Sequence, residues 1–269
     1  FVFRGEKMIG EAELRAYYEA YEEEGRLATR HGSVEFLTTV RYVERYLRPG
    51  MRLLEIGAGT GRYAHHFARQ GYAVDAVELV ERNIEVFRAH TQPGERIRVW
   101  QGCATDLDWL PADGYDLVLL LGPMYHLFTD ADRRRALAEA LRVTKPGGLL
   151  FVAYLMNEPT VIKYCFQRGN LRRVLDGGLL DPVTFKARST PRELFVLYRR
   201  EEIDALAGEL TARRLHFVGT DLFTHYMRDT VEGMDDETFA QYLRYHFCVC
   251  ERADLTGISA HTLDILRKE

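Results

Sequence analysis

The sequence has little of what marks a membrane, secreted or disulfide-stabilised protein. Its longest uncharged apolar run is the nine residues 117–125, whereas a membrane helix needs about 20. Four cysteines in 269 residues are too few for a disulfide framework, and no basic and apolar leader opens the chain. We therefore predict a cytoplasmic protein that does not enter a membrane. The first printed residue is Phe1 rather than methionine, so the natural start of the chain stays open.

Excess charge and metal-ligand patterns are also lacking. The chain has 36 Lys and Arg against 40 Asp and Glu, a formal charge of −4, which offers no broad positive field for nucleic acid. No His-x-x-x-His or Cys-x-x-Cys spacing suggests a metal, and Cys248-Val249-Cys250 alone is weak support for one. We expect no metal, nucleic acid or membrane as a partner. A monomer and a homodimer are both open.

What the sequence does have is an alternation of strand and helix patterns from about residue 33 to residue 155. This alternation is typical of a parallel sheet with helices on both faces. Residues 115–121 are apolar almost throughout, as a central strand covered on both sides should be. The predicted strands are 51–56, 73–78, 97–101, 115–121 and 149–155, and the predicted helices are 11–28, one capped by Ser33, one that ends near Gln70, 82–89 and 130–143.

We divide the chain into four parts. Residues 1–32 are predicted to form an N-terminal helical cap, 33–156 the core, 157–200 a lid or insertion after the fifth strand, and 201–269 the C-terminal completion of the sheet with a helical insertion. The last part is predicted as a helix at 201–213, a strand at 215–223, a helix at 236–247 and a strand at 262–267. The expected fold is therefore α/β, with a seven-stranded and mostly parallel sheet that ends in an antiparallel pair.

A glycine-rich loop follows the first predicted strand. Glu55-Ile56-Gly57-Ala58-Gly59-Thr60-Gly61 ends that strand and opens a helix, so the backbone can approach a ligand without an intervening Cβ. The free N–H groups of the helix N-terminus add donors at the same place. The second predicted strand ends at Glu78, where a carboxylate can accept both hydroxyls of a ribose. The combination predicts a nucleoside site.

The spacing separates two kinds of nucleoside ligand. A dinucleotide fingerprint, G-x-G-x-x-G, would need glycine at position 62, which is Arg62. Glu55 lies two residues before the first glycine, where its charge would repel a pyrophosphate and attract an ammonium group. An amino-acid-bearing nucleoside therefore fits the loop better than a dinucleotide.

These motifs resemble those of the class I S-adenosylmethionine-dependent methyltransferases. Residues 55–61 are similar to the family's first motif, Glu78 matches the acid that holds the ribose, and residues 102–107 are similar to the segment that flanks the adenine. Residues 116–121 and 142–148 resemble the fourth strand and the turn into the fifth. The resemblance covers roughly residues 33–156. It implies a Rossmann-like fold, S-adenosylmethionine as cofactor with S-adenosylhomocysteine as product, and methyl transfer to a small molecule by direct displacement.

The resemblance also implies a set of cofactor-binding residues. They are Glu55, Gly57, Ala58, Gly59, Gly61, Glu78, Leu79, Cys103, Ala104, Thr105 and Gly122. The aromatic first helix is a candidate cover for the cofactor, with Tyr21 and the following Arg26 as contacts; the alternative is an amphipathic helix that covers the sheet edge. The family often has an acid where this chain has Cys103, so a contact of the adenine with Cys103, with Asp106 or with backbone groups stays open.

Candidate catalytic residues follow the fourth predicted strand. Tyr125 and His126 lie at the carboxyl edge of the sheet, where ligands of such sheets bind, and Gly122 supplies no side-chain acceptor for a planar amine. His126 can accept a proton from a hydroxyl, thiol or ammonium nucleophile; the alternative is a histidine that hydrogen-bonds the lid and shapes the pocket. His225 follows a later predicted strand and is a weaker candidate, whereas His246 is predicted to be a core residue.

The predicted function is methyl transfer to a small-molecule acceptor, with the acceptor atom and the need for a base left open. Basic residues of 157–200 support an anionic substrate, against the alternative of a solvated basic face. They are Lys163, Arg168, Arg172, Arg173, Lys186 and Arg188. Two alternative hypotheses stay open. One is a non-catalytic protein that binds the adenosyl cofactor, and the other is a nicotinamide-dependent oxidoreductase, which Arg62 and Glu55 disfavour.

Overall fold

The computed structural model of the protein describes residues 10–20 and 29–269. Within these residues one mixed sheet has eight strands. They are β1 Arg52–Ile56, β2 Ala73–Glu78, β3 Ile97–Gln101, β4 Tyr115–Leu120, β5 Thr144–Met156, β6 Leu197–Tyr198, β7 Ala212–Gly219 and β8 His261–Lys268. Seven of them follow the order β3-β2-β1-β4-β5-β8-β7, and β6 pairs with the end of β5.

Strand direction determines which chain segments meet at one edge of the sheet. The pairs β1–β2, β1–β4, β2–β3 and β4–β5 are parallel, whereas β8 runs antiparallel to both β5 and β7. The carboxyl ends of β1, β2, β4, β5 and β7 therefore share an edge with the beginning of β8. Ligands of open α/β sheets bind at this edge.

Ten helices accompany the sheet in the described part of the chain. They are α1 (described over Glu11–Ala20), α2 Arg30–Glu44, α3 Arg62–Arg69, α4 Glu81–His90, α5 Asp130–Val143, α6 Asn157–Thr160, α7 Leu171–Asp176, α8 Arg200–Gly208, α9 Arg228–Glu232 and α10 Asp236–Val249. A π-helical segment, Val161–Gln167, continues α6. Short 3₁₀ turns lie at Pro123–Tyr125, Pro191–Glu193, Leu222–His225 and Thr256–Ile258.

The alternation of side chains along the central strands builds a core on each face of the sheet. Leu54 of β1 and Val118 of β4 face one core, which α5 and α8 cover. Leu53 and Leu117, one position earlier, face the other core, against α2 and α3. This period of two is the geometry of a strand. The predicted α/β fold, with a mostly parallel sheet and helices on both faces, is confirmed.

Several predicted boundaries are corrected. Among the described residues the sheet has eight strands rather than the predicted seven, because the two residues of β6 pair with β5. Helix α2 is capped by Thr29, whose side chain accepts from the N–H of Gly32 at 3.1 Å, and not by Ser33, whose hydroxyl donates back to Arg30. The strand β5 begins at Thr144 rather than 149, with an irregular register against β4.

The C-terminal strand predicted at 215–223 begins three residues earlier, at Ala212, and ends at Gly219. Helix α8 ends at Gly208, so Arg213 belongs to β7 and not to the helix predicted at 201–213, and Arg214, between the two predicted elements, belongs to β7 as well. The reason lies on the neighbouring strand, where Arg214 forms a bidentate ion pair with the fully buried Asp264 of β8. The Nε–Oδ1 and Nη2–Oδ2 distances are both 2.7 Å. This tertiary partner allows a charged residue to occupy the strand.

Candidate functional site

The glycine loop after β1 lies at the carboxyl edge of the sheet. Gly57 and Gly61 have φ of +74° and +87°, values that favour glycine. A Cβ at Gly57 would lie 2.6 Å from the ring of Pro123, and one at Gly61 would lie 2.3 Å from the ring of Phe87. Both positions therefore exclude side chains because of the loop's own conformation and packing.

A cavity, here called the glycine-loop cavity, lies above this loop. Its wall combines the ends of β1, β2 and β4 with α1. It is lined by Leu14, Tyr18, Glu55, Gly57, Ala58, Gly59, Thr60, Arg62, Tyr63, Glu78, Leu79, Val80, Asn83, Gly102, Cys103, Ala104, Leu121, Gly122, Pro123, Tyr125, His126 and Leu127. The sheet topology thus brings the glycine loop and the acid at the end of β2 into one wall.

Glu78 is buried at the end of β2 and is held by backbone donors. Its carboxylate accepts from the N–H groups of Gly59 at 2.8 Å and Val80 at 2.9 Å, and from the side-chain amide of Asn83 at 3.3 Å. Burial raises the pKa of Glu78 against these opposing hydrogen bonds. The carboxylate therefore has a fixed position beside the loop.

Glu55 is the second buried acid of the glycine-loop cavity. One of its oxygens accepts from the N–H of Ala64 in α3 at 2.9 Å. Burial raises the pKa of Glu55 to about 8, against the hydrogen bond from Ala64, and the nearby charge of Glu78 raises it further. Two buried carboxyls in one wall favour a cationic ligand group over an anionic one.

The segment after β3 contributes to the same cavity. Cys103 and Ala104 line it, whereas Thr105 lies behind them, with its hydroxyl 3.1 Å from the thiol of Cys103. Asp106 does not line the cavity; its N–H donates to the carbonyl of Cys103. Of the two side chains considered for an adenine contact, only Cys103 faces the cavity.

His126 follows the 3₁₀ turn at the end of β4 and is 5 % exposed. Its Nδ1 lies 2.8 Å from the carbonyl of Leu194, to which it must donate, and its Nε2 lies 3.1 Å from the hydroxyl of Tyr18. Burial lowers the pKa of His126 to about 4, against the bond to Leu194. The ring is therefore neutral near pH 7, with Nε2 as the acceptor for Tyr18.

A second cavity, of about 540 Å³, adjoins the first. Tyr18 and Tyr125 line both cavities. The other residues of its wall come from α1, α2, the end of β5, the segment 160–168, the turn before β6, β6, the segment after β7, the start of α9 and the start of β8: Tyr17, His31, Gly32, Glu35, Leu155, Thr160, Lys163, Tyr164, Arg168, Phe195, Leu197, Asp221, Thr224, His225, Arg228 and His261.

Asp221 and His261 form a hydrogen-bonded pair in the second cavity. The Nδ1 of His261 donates to Oδ2 of Asp221 at 2.9 Å, and Oδ1 accepts from the backbone N–H of His261 and the hydroxyl of Ser259. Although burial opposes it, His261 keeps the pKa of Asp221 below its usual range. In a neutral ring, this arrangement leaves the lone pair on Nε2.

Asp221 and His261 are candidate functional residues that no sequence motif indicates. The available signal was positional, since both residues lie at the ends of predicted strands, at 215–223 and 262–267. The sequence does not show which strand ends meet. The pairing of β7 with β8 brings them together, with the N–H of Thr220 donating to the carbonyl of His261 at 2.9 Å.

The predicted site residues divide into four groups by position. The glycine-loop cavity is lined by Glu55, Gly57, Ala58, Gly59, Glu78, Leu79, Cys103, Ala104, Gly122, Tyr125 and His126. Gly61 caps α3, and Thr105 is buried behind the wall. His225 lies in the second cavity, as does Tyr125. Tyr21 and Arg26 lie outside the described residues, and His246 is buried as predicted.

Sequence comparison identifies the domain that holds most of the glycine-loop cavity and Tyr125 of the second cavity. Residues 53–148 match the profile of a family described as a methyltransferase domain. The chain carries a methyltransferase domain. The resemblance to S-adenosylmethionine-dependent methyltransferases is confirmed, and S-adenosylmethionine is the cofactor of that family. The domain includes β1 to β4, the glycine loop, Glu78 and His126.

Curated relatives and solved structures extend the similarity beyond the methyltransferase domain. A protein of Methylocella silvestris named ubiquinone biosynthesis O-methyltransferase is 34 % identical over 129 residues, 48 % of this chain and 49 % of that protein. A protein of the same name from Hahella chejuensis is 28 % identical over 199 residues, 72 % and 81 % of the two chains. The chain thus spans about half the length of the Methylocella relative.

A solved structure from Thermotoga maritima resembles the whole fold. It is described as an S-adenosylmethionine-dependent methyltransferase and possible histamine N-methyltransferase. The TM-score is 0.60 at 22 % identity, over 96 % of this chain and 99 % of that one. At 22 % identity this likeness shows a shared fold and no more.

No helix within residues 10–20 and 29–269 is both long and apolar enough to cross a membrane. No three His, Cys, Asp or Glu side chains in that part of the chain come together as metal ligands. Cys248 is exposed and Cys250 is buried, so the close pair in sequence does not form a shared thiol site.

We expect the buried Glu55 to make the stability depend on pH. Because its pKa is raised from 4.5 to about 8, the folded state keeps a proton that the unfolded chain releases. This contribution to stability is fully present below pH 4.5 and is lost as pH rises through 8, at up to about 1.4 kcal/mol per pH unit. Glu78 acts in the same direction. Glu55→Gln should reduce the dependence of the unfolding free energy on pH, which urea denaturation at pH 5, 6.5 and 8 measures.

The matched control for this prediction is Glu85→Gln. Glu85 lies on the exposed face of α4, so its substitution should leave the pH dependence of the unfolding free energy unchanged. The same pH dependence in Glu55→Gln as in the native protein would contradict its assignment to Glu55.

Proposed function

We propose that this protein transfers a methyl group from S-adenosylmethionine to a small-molecule acceptor. The observation that carries the proposal is the pair of adjoining cavities at the carboxyl edge of the sheet. One contains the glycine loop and Glu78, the other contains titratable and cationic side chains, and Tyr18 and Tyr125 belong to both. Two ligands can therefore meet at the boundary.

The residues of the glycine-loop cavity fit the groups of the cofactor. The carboxylate of Glu78 would accept from the ribose hydroxyls, and the loop of Gly57, Ala58 and Gly59 would approach with backbone atoms because its glycines carry no Cβ. Leu79 would continue the ribose side of the wall. Gly61 would act indirectly, as the cap that places the N-terminus of α3.

The remaining groups of that cavity would contact the two ends of the cofactor. Cys103 and Ala104 would flank the adenine, with Thr105 supporting them from behind. Glu55 would face the ammonium group, and Gly122 would leave room beside the sulfonium. The two buried acids support this fit, because S-adenosylmethionine brings positive charge and a dinucleotide brings negative charge.

When bound, S-adenosylmethionine supplies a sulfonium methyl that needs no further activation. The work left to the protein is alignment of the acceptor and exclusion of water, and positioning alone can contribute about 7–11 kcal/mol. Tyr125 lies at the boundary of the two cavities and would position the acceptor. His126 would fix Tyr18, because its two ring nitrogens bond to Leu194 and to that hydroxyl.

The second cavity would hold the acceptor. The Methylocella and Hahella relatives are both named O-methyltransferases. These names favour a hydroxyl as the acceptor group. His261 would receive the hydroxyl proton at Nε2 while Asp221 stabilises the ring that becomes charged. His225 faces the same cavity and would contact the acceptor.

The four predicted parts of the chain take roles in this proposal. Residues 33–156 would bind the cofactor, and 201–269 would supply Asp221, His225 and His261. Residues 157–200 would act as a lid, which is supported by their position in the second cavity through Lys163, Tyr164 and Phe195. Residues 1–32 would cap the cofactor, since Arg15 of α1 donates to the carbonyl of Leu79 at 2.7 Å. A cytoplasmic location, and the choice between monomer and homodimer, stay predictions.

The test combines ligand binding with product formation. We expect S-adenosylmethionine and S-adenosylhomocysteine to raise the melting temperature of the purified protein, whereas NADH and NADPH should not. A ligand at about 100 times its dissociation constant adds about 2.7 kcal/mol of stability. Incubation with a panel of small phenols and hydroxy acids should then release S-adenosylhomocysteine, measured by mass spectrometry.

Each part of this experiment has an outcome that contradicts the proposal. Stabilisation by NADH or NADPH alone would favour a nicotinamide-dependent oxidoreductase. Binding of both adenosyl compounds without turnover of any acceptor in a broad panel would favour a non-catalytic cofactor-binding protein. The control is the same panel without protein.

A further inference from the structure

The second cavity combines aromatic walls with a group of cations. Tyr17, Tyr164 and Phe195 supply apolar surface. Lys163, Arg168 and Arg228 line the same cavity from two segments of the chain, the π-helix with its end and α9. The cavity therefore suits a molecule with an apolar body and a polar group that these cations can reach.

The three cations repel one another. Burial lowers the pKa of Lys163 to about 8, and the charges of Arg228 and Arg168 lower it further, while Asp221 and Asp229 act in the opposite direction. Neither Arg168 nor Arg228 forms an ion pair with an acid in the part of the chain that the structure describes. A negative group in the cavity would reduce this repulsion.

The acidic side chains of the wall do not supply that group. Asp221 is already occupied by Ser259 and by two donors of His261. Glu35 lies 3.6 Å from the ring of His261. Two carboxylates thus stand beside three cations, and neither of them pairs with an arginine of the cavity.

The side chain of His225 gives independent support for a ligand in the second cavity. It is 8 % exposed and lines the cavity, yet neither of its ring nitrogens has a hydrogen-bond partner within residues 10–20 and 29–269. The Nε of Arg228 is buried and unpartnered in the same way. Buried polar groups are nearly always hydrogen-bonded. A neutral imidazole carries one N–H, so the N–H of His225 and the Nε–H of Arg228 are two buried donors without an acceptor in the described part of the chain.

The backbone of His225 also orients one of the cations. The Nζ of Lys163 donates to the carbonyl of His225 at 2.6 Å, which holds the ammonium group beside the unpartnered ring. Lys163, His225 and Arg228 therefore present donors to a common space, although they come from the π-helix, the turn after β7 and α9.

We propose that the second cavity recognises the acceptor by an anionic group, a carboxylate or a phosphate, held by Lys163, Arg168, Arg228 and His225, with an aromatic body against the tyrosines. This inference rests on the proposed function, because it assigns the second cavity to the acceptor. Of the six basic residues noted within 157–200, only Lys163 and Arg168 belong to the proposed anion site. Lys186 pairs with Glu202, Arg188 pairs with Asp181, and Arg172 and Arg173 are exposed on α7.

The test measures binding of three small probes to the full chain by calorimetry, with S-adenosylhomocysteine present. Benzoate and phenyl phosphate carry the anion, and benzamide is the neutral counterpart of benzoate. We expect at least one anion to bind at least tenfold more tightly than benzamide. Arg228→Gln and Lys163→Met should each lower anion affinity at least tenfold and leave benzamide affinity unchanged. The preferred anion distinguishes a carboxylate from a phosphate site.

The matched controls are Arg172→Gln and Arg173→Gln, which remove exposed cations from α7, outside the cavity. Arg168→Gln changes an exposed residue, so it tests the site even where a more buried substitution disturbs folding. Equal affinity for benzamide and both anions, or equal losses in the α7 controls, would overturn the inference. A separate titration with S-adenosylhomocysteine keeps the outcomes apart: failure there overturns the proposed function, whereas intact cofactor binding without anion preference overturns only this inference.

Discussion

Glu78→Ala is expected to lower the affinity for S-adenosylmethionine at least a hundredfold. The proposed contact is a buried carboxylate that accepts from two ribose hydroxyls, and a hydrogen bond to a charged group contributes about 1.5–3 kcal/mol. Loss of two such bonds, at about 1.4 kcal/mol per factor of ten, gives a factor of one hundred or more. Calorimetric titration of the purified variant with S-adenosylmethionine measures the effect.

The design must separate this effect from damage to the loop, because Glu78 also accepts from Gly59, Val80 and Asn83. Glu78→Gln keeps an acceptor oxygen for these donors but removes the charge, so we expect it to melt closer to the native protein and still bind at least tenfold more weakly. Glu85→Gln, in the neighbouring helix, is the control. Native-like affinity in a folded Glu78→Ala protein would refute the ribose contact.

Loss of the Asp221–His261 pair is expected to have the second large effect, on turnover rather than on cofactor binding. A positioned general base contributes about 10²–10⁴-fold to the rate. His261→Gln removes the proton acceptor, and Asp221→Asn removes the carboxylate that fixes its tautomer. Both variants should lose turnover in this range, while the dissociation constant of S-adenosylmethionine changes less than about threefold.

A structural role of the same pair would produce a different pattern. Damage to the fold would lower the melting temperature and weaken cofactor binding together with turnover. A base would instead change the pH profile of turnover, because its titration disappears from the acidic limb. His90→Gln, at the far end of α4, serves as the control. Turnover within threefold of the native rate in His261→Gln would exclude His261 as the base.

The parts of the site that lie within one short segment were accessible from the sequence. The glycine loop follows a predicted strand, Glu55 and Glu78 lie near the ends of predicted strands, and β2, β3 and α5 have the predicted bounds. The signal is strong there because the strand period, the turn residues and the position of the acid all agree. The roles assigned to these residues in cofactor binding stay predictions.

The parts that depend on two distant segments were not accessible. Tyr18 bonds to His126 across 108 positions, and Asp221 bonds to His261 across 40. The strand β6 was missed for the same reason, because its two residues have no pattern of their own and exist only through their pairing with β5.

The kind of domain and the local chemistry of the glycine-loop cavity follow from short sequence segments. Continuous apolar runs in the central strands supply side chains to both faces of the sheet, and the glycines specify a loop whose backbone needs positive φ. Contacts between distant segments instead determine which side chains surround the second cavity and which protonation state each favours. The reason is physical: burial, charge and hydrogen-bond partners set those properties, and they arise when the ends of β5, β7 and β8 meet.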